Sequence, residues 1–584
     1  DDKYKWDLSV LYASDDCWEE DYRKVEKDLS LLLKFKGTLT DSSKLEQFMQ
    51  AYIDFSIVKE NLYVYANVRF YEDTRNTTYE EMKGRIELLV SNISAKTVFI
   101  KKELSSLSEE EIARLIHENS QLSGYRFFLD GYARYNPHIL SEESEAVLAE
   151  LGIALGKPDD IFSAFNDNNI SFEVFEHNGE EIHLSHATYA QILESPDREL
   201  RQKAFEYYYK PFLQNIDVLA NTYATTVLTN IKLTKIRNHT SMLESALFPD
   251  YLPTTVFTNL VDVVKENIDV VSEFNALKQE ALGVEELHFY DNYIPLVADV
   301  DKEYSYEETI DLVRTALEPL GSEYLRKYDA TVNARVIDVF ESAGKRSGAF
   351  SWGSYASRGL VFLNHTGKFS DVSTFAHEFG HCLHRDYSIG NQPYLYYQNP
   401  IFLAEIASTF NEALLFDHMS KIAVSLEDKK FFLYHNMKRI EATFFRQTMF
   451  ASFEKEIHEM AESGQVLIAK SITDVYRKNL ETYLGNGMII DEQLHCEWAR
   501  IPHFYNAFYV YKYATSLSAA IALAERVSSG EAGAVDDYLA FLGAGSHKEP
   551  LKILKDAGVD LAGKEVYEVT VNKFRKLLEE YRSL

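Results

Sequence analysis

The chain has 584 residues, 46% of them apolar, with 60 Lys and Arg set against 91 Asp and Glu for a net charge of −31. That length exceeds what one hydrophobic core holds, so at least two lobes are expected, and the acidic balance excludes the clustered cations that a nucleic-acid partner needs. Three cysteines without paired spacing, no leader and no long apolar run indicate a reducing, cytoplasmic setting with no membrane partner.

Taken in order, the chain carries helical spacing almost throughout. Ser43 with Glu46 reads as a capping box ahead of Leu45, Phe48, Met49, Tyr52 and Ile53, and Ser108 with Glu111 repeats that signal. Helical patterns cover 79–104 and 141–155, separated by Gly131 and the Asn136-Pro137 turn. Over 162–184 the pattern changes, and alternation about Asn178-Gly179 predicts a small hairpin. Ser195-Pro196 then reads as the cap and first-turn proline of a helical region from 197 to about 240. A soft boundary near residue 190 divides a helical lobe with a hairpin insertion, 1–190, from the part expected to be catalytic, 191–584. Helices resume over 253–328. The runs 349–352 and 360–364, punctuated by Gly344, Gly348, Gly353 and Gly359, predict strands with tight turns. The fold class expected is mainly α, with a small β-sheet beside the helix that follows.

That helix carries Phe375-Ala376-His377-Glu378-Phe379-Gly380-His381-Cys382-Leu383. Two histidines four residues apart lie on one helical face, where both imidazoles reach a single ion, and Glu378 is placed to act as general base on a water beside it. Phe375, Phe379 and Leu383 form an apolar stripe, and Cys382 is expected to pack as a small hydrophobe. A catalytic zinc takes three protein ligands and keeps a position open, so a third donor is required. Glu405 supplies it, after 23 intervening residues from His381, on a second helix with Leu403, Ile406, Phe410 and Leu414 on its apolar side. Glu412 shares the Glu405 face and is assigned to orienting a ligand histidine. The metzincin pattern fails, because His384 and Tyr387 stand where a glycine and a third histidine are needed. A strand next to such a helix can hold an extended peptide through its backbone. Gly348, Ala349 and the 360–364 strand are the expected groove lining, against the alternative of a purely structural sheet. His365 has no evident partner and is left as a surface or supporting residue.

Downstream, Ser425 with Asp428 caps a helix to about Ser463, stopped by Gly464, and Ser471 with Asp474 opens another. In Ile501-Pro502-His503-Phe504-Tyr505-Asn506-Ala507-Phe508-Tyr509-Val510-Tyr511-Lys512-Tyr513, the spacing of Tyr505, Tyr509 and Tyr513 predicts three phenols on one helical face, with His503 just ahead. Neutral donors of this kind suit a developing oxyanion. A tyrosine stripe equally describes a core face.

The strings Gly348-Ala349-Phe350-Ser351-Trp352-Gly353-Ser354-Tyr355, His-Glu-Phe-Gly-His and Ala-Glu-Ile-Ala-Ser-Thr-Phe-Asn-Glu together resemble the oligoendopeptidase F branch of the thimet oligopeptidase family. The similarity extends to Lys5-Trp6-Asp7-Leu8, Leu287-His288-Phe289-Tyr290-Asp291 and Pro502-His503-Phe504-Tyr505, nearly end to end. It implies two helical lobes around a deep substrate channel and an endopeptidase of short, unstructured oligopeptides, with one Zn2+ per chain held by His377, His381 and Glu405. It also implies that His503, Tyr505 and Tyr509 hold substrate and stabilise the oxyanion. Tyr509 is the first choice for the oxyanion donor; Tyr513, a substrate contact, and Tyr511 are the alternatives. Two other readings stand beside it. A zinc carboxypeptidase or dipeptidase would grip a peptide terminus with Arg346, Arg358 or Arg500. A peptide-binding protein without catalysis would have no use for Glu378. Oligomeric state is open.

Overall fold

In the computed structural model, which describes residues 2–297 and 302–584, helices make up most of the chain and strands are few and short. By its internal contacts the chain divides into two units interleaved along the sequence, so neither follows from a single cut near residue 190. The first comprises Asp1–Ile139, Lys302–His418 and Leu523–Val559; the second comprises Leu140–Asp301, Met419–Ala522 and Asp560–Leu584.

In the first unit, helices Asp15–Leu32, Ser42–Glu72 and Thr77–Lys96 pack through buried side chains such as Trp18, Leu45, Phe48, Leu62 and Ile86. The helix expected from Ser43 is capped by Asp41, whose carboxylate accepts the Lys44 N–H; Ser108 and Glu111 form the box expected of them. A three-stranded sheet places Leu360–Phe362 in the centre, parallel to Ile337–Asp338 and antiparallel to Phe350–Trp352. Leu360, Val361 and Phe362 are buried on both faces, which explains their unbroken apolar run. The N-terminal segment is tied to this sheet. Lys5 Nζ donates to Asp338 Oδ1 at 3.1 Å, Trp6 Nε1 donates to Glu72 Oε1 at 2.7 Å, and the Trp6 ring packs on Phe362 at 5.5 Å. The Lys5-Trp6-Asp7-Leu8 string is thus a structural tie.

In the second unit the Asn178-Gly179 turn, with φ of 52° and 83°, joins Phe175–His177 to Glu180–Ile182 as the expected hairpin. The helical region from 197 is two helices, Arg198–Gln214 and Ile216–Ile236, capped first by Asp197. Of the run expected over 253–328, residues 298–301 lie outside the described residues; helices Thr254–Glu266 and Asp269–Leu282 belong to this unit, and Tyr306–Ala316 and Gly321–Val332 to the first. Ser425 and Asp428 form their capping box, and a π-helical turn, Glu441–Phe445, interrupts the run before Arg446–Glu462. The next helix starts at Ala469, ahead of the expected Ser471 cap, because Ser471 Oγ accepts the Ile468 N–H from inside the first turn. Asp291, of the Leu287–Asp291 string, is buried between Arg198 and Arg201. Among the described residues no helix is long and apolar enough to cross a membrane.

At the sheet, Asp338 forms a buried charge pair with Lys345, both side chains at 0% exposure. Lys345 Nζ also donates to Phe340 O at 2.8 Å and to Leu363 O. Burial lowers its pKa against the pull of Asp338. Asp338→Ala leaves that ammonium without its counter-charge and is expected to cost about 3–5 kcal/mol, read as a lower denaturation midpoint of the purified chain.

Candidate metal centre and active site

The motif helix, Phe369–Asn391, is fixed in rotation by its apolar stripe. Phe375 stacks on Phe379 at 4.8 Å, and Phe379 packs on Tyr328 at 4.7 Å. Cys382 is buried, with its thiol donating to Gly359 O, as its apolar neighbours suggested. The stripe turns His377 and His381 out of the core, with ring centroids 4.9 Å apart.

A second helix, Ile401–Ile422, passes the first at Gly380. A Cβ at Gly380 would stand 2.6 Å from both Ala407 O and Ser408 Cα, so only glycine permits that approach. Asn411 Nδ2 donates to Ala376 O at 3.1 Å and ties the two helices one turn away. The crossing brings Glu405 Oε2 to 3.3 Å from His377 Nε2 and 3.4 Å from His381 Nε2. Among the described residues, these three are the only group of His, Cys, Asp or Glu able to share an ion. Glu412 Oε1 lies 3.5 Å from His377 Nδ1, so one ring nitrogen is given to a carboxylate and the other to the shared centre. Ser408 Oγ donates to Glu405 Oε2 at 3.0 Å and Ser373 Oγ to Glu412 Oε1 at 3.4 Å.

The electrostatics follow from this crowding. Burial raises the Glu405 pKa, but its bonds to the two histidines outweigh that and hold it well below the usual carboxylate range. Desolvation lowers the His377 pKa, yet Glu405 and Glu412 overcome it and bring the ring to about 10. Glu378 is buried, and desolvation raises its pKa against the pull of both histidines and the Ser351 N–H. A buried carboxyl beside a group able to share an ion, with its pKa raised, is suited to shuttling a proton.

Ser351 belongs to Phe350–Trp352, which pairs on one side only among the described residues; Gly348 and Ala349 lead into it. This strand is therefore an edge of the sheet. Of the 360–364 run, Leu360–Phe362 is the buried centre of the sheet, paired on both sides, and offers no free strand edge to a groove. His365 is buried and bonded to Thr309 Oγ1 at 3.1 Å, so it is no surface residue. Of the three arginines weighed for gripping a terminus, Arg500 is committed to Glu497 at 2.6 Å and Arg346 lies over the Tyr71 ring at 4.4 Å. Arg358 has no ion pair among the described residues. It lines a cavity of about 560 Å³ with Arg326, Lys327 and Asp386.

The tyrosines do not share a helical face. Pro502–Tyr505 is a 3-10 turn, the chain reverses through Phe508 at φ 56°, and the helix starts only at Tyr511. Tyr505 is set apart, stacked on Phe162 at 4.5 Å. His503, Tyr509 and Tyr513 do cluster in the second unit: Tyr513 OH lies 3.4 Å from His503 Nε2, and the Tyr509 ring is 5.5 Å from Tyr513 and 6.2 Å from His503. Burial lowers the His503 pKa and favours the neutral ring.

Sequence reading passed over Gly380 and Ser408. The available signal was a glycine inside a strong helical pattern, which costs about 1 kcal/mol relative to alanine and so marks a close approach.

The model for Peptidase family M3 matches residues 191–572, and that for Oligopeptidase F matches residues 103–172. Oligopeptidase PepF of Bacillus subtilis is 36% identical, with the match covering 99% of this chain and 87% of the relative. A solved chain from Chlamydophila abortus is 34% identical with a TM-score of 0.94, covering 100% of this chain and 98% of that one. Oligoendopeptidase-F from Enterococcus faecium is 30% identical with a TM-score of 0.75, covering 97% and 99%.

Gly380→Ala drives a methyl group into the backbone of the second helix. The expected outcome is a stability loss of about 1–3 kcal/mol from overpacking and a roughly 10- to 100-fold loss of metal affinity as Glu405 is displaced. Thermal denaturation and metal titration check the two effects separately.

Proposed function

This chain belongs to peptidase family M3, and from that premise we propose that it is a zinc-dependent endopeptidase that cuts internal bonds of short oligopeptides. The observation that carries the metal part is the donor spacing. Four-coordinate zinc with bonds of about 2.0–2.1 Å needs neighbouring ligands roughly 3.3 Å apart, and Glu405 Oε2 stands 3.3 and 3.4 Å from the two Nε2 atoms. Two imidazoles and one carboxylate are a donor set that zinc takes in catalytic sites, with one position left for chemistry. Bound there, the ion supplies Lewis-acid polarisation of the scissile carbonyl and makes a water acidic near neutral pH.

The remaining work belongs to side chains. Glu412 holds Nδ1 of His377, which leaves the Nε2 lone pair for the ion. Glu378 takes the proton of the attacking water and delivers it to the departing amine; its raised pKa strengthens it as the base in the first half of that transfer. Gly348, Ala349 and the edge strand Phe350–Trp352 hold the peptide backbone in extended form. Tyr509 and His503 are assigned as donors to the oxyanion, and Tyr513 and Tyr505 as substrate contacts. Support for these last roles is the family resemblance and, for three of the four, their mutual packing. Of the three arginines weighed for gripping a terminus, Arg346 and Arg500 are engaged elsewhere, which leaves Arg358 as the group a trimming activity would use.

The test is cleavage of an internally quenched peptide blocked at both ends. Wild type is expected to cut it, to stop on chelation and to recover with zinc. Glu378→Gln should retain equal zinc and lose roughly 10²- to 10⁴-fold in kcat. Trimming of unblocked peptides with the blocked one left intact would sink the endopeptidase claim. An active Glu378→Gln would sink the base assignment.

A further inference from the structure

The turn that carries Tyr509 is strained and held from below. Phe508 has φ 56°, in the left-handed region, where a bulky residue with a Cβ is disfavoured by about 1–3 kcal/mol. It is not a glycine, so the conformation has to be imposed. Its ring is buried against His458 at 5.0 Å and Phe257 at 5.6 Å. Its backbone N–H donates to Glu454 Oε1 at 3.0 Å.

Glu454 is an expensive way to make that bond. It sits at 0% exposure in the helix Arg446–Glu462, and among the described residues no cation is paired to it and its Oε2 has no hydrogen-bond partner. Burial pushes its carboxyl up to about 8. An apolar side chain of the same volume would be the more stable occupant of such a place. What an apolar side chain lacks is an acceptor for the Phe508 N–H.

We propose that Glu454 is a positioning residue: its carboxyl oxygen locks Phe508 into the left-handed turn and thereby sets where the Tyr509 phenol and the His503 imidazole point. The assignment rests on the oxyanion role given to Tyr509 above, and it goes further by naming the group that aims that phenol. The chain from Glu454 to chemistry is short. Phe508 precedes Tyr509 directly, and the Tyr509 carbonyl accepts the Lys512 N–H at 3.2 Å, so rotation at 508 swings the phenol and the start of the next helix together. His503 follows through its stacking on Tyr509 and its bond to Tyr513.

Four zinc-loaded variants of the full chain separate the possibilities: Glu454→Met, Glu454→Gln, Tyr509→Phe, and Glu454→Met combined with Phe508→Gly. Methionine fills the same space without an acceptor, so Glu454→Met should keep or raise the melting temperature and keep its zinc while kcat falls about 10- to 100-fold. KM on the blocked peptide should stay within about twofold, as expected for a loss confined to the transition state. Glutamine still offers an oxygen, and Glu454→Gln should stay within about threefold of wild type. Glycine adopts the turn without a Cβ penalty, so Phe508→Gly should restore part of the kcat lost in Glu454→Met. Full activity in Glu454→Met, glutamine as damaging as methionine, or a further fall in the double variant would each overturn the inference. A fluorine label on the Tyr509 ring gives a readout independent of catalysis: its 19F line should shift or broaden in Glu454→Met and not in Glu454→Gln. If Tyr509→Phe leaves kcat intact, the oxyanion reading fails by itself, and the 19F line then decides whether Glu454 positions the turn. An unmoved line overturns the inference in either case.

Discussion

The candidate centre depends on how closely two helices approach at Gly380. Two histidines four apart on one helix can share an ion through local geometry, but the third donor must come from another element. A glutamate side chain reaches only a few ångströms beyond its helix. With any side chain at position 380, the backbone at Ala407 and Ser408 would be held off, and Glu405 Oε2 would be drawn away from the two Nε2 atoms. The bond from Asn411 to Ala376 O and the bond from Ser408 to Glu405 then hold the arrangement that the crossing permits. The three candidate donors are thus placed by backbone contact, and the polar groups around them refine orientation.

The same economy governs the elements around the centre. The strand edge near Glu378 belongs to a sheet of only three short strands, too small to be stable alone. It is fastened by the N-terminal segment and by the buried Lys345 and Asp338 pair. In the second unit, the stretch leading to His503 is fastened in a similar way. Glu497 is buried among Arg446, Arg500 and Tyr476, and Glu454 takes the Phe508 N–H a few residues later. In a chain with a net charge of −31, several of the cations lie inside, paired with the buried carboxylates of Asp291, Glu441 and Glu497.

What could be read from the sequence was what depends on neighbours along the chain. The His377 and His381 pair, the Phe375, Phe379 and Leu383 stripe, the Asn178-Gly179 hairpin and the Ser108 and Ser425 caps all follow from helical or two-residue periodicity. Glu405 was within reach because the motif demands a third ligand and the next helix offers a carboxylate on its inner face. The failures lie where distant packing decides. An apolar run such as Leu360–Phe362 reads the same at the centre of a sheet as beside a groove, and only pairing on both sides tells them apart. The four-residue spacing of Tyr505, Tyr509 and Tyr513 is a helical pattern in sequence. It is broken in the fold because Glu454, 54 residues earlier, draws Phe508 into a conformation that phenylalanine does not choose locally. The interleaved units were hidden for the same reason, since each closes on stretches far apart in the chain.

The most direct test of the account is anomalous diffraction at the zinc edge from zinc-loaded crystals. It predicts one peak per chain, within about 2.0–2.2 Å of His377 Nε2, His381 Nε2 and an oxygen of Glu405, and loss of that peak in Glu405→Ala. A peak elsewhere, or a fully active enzyme with no ion at these three residues, would contradict it.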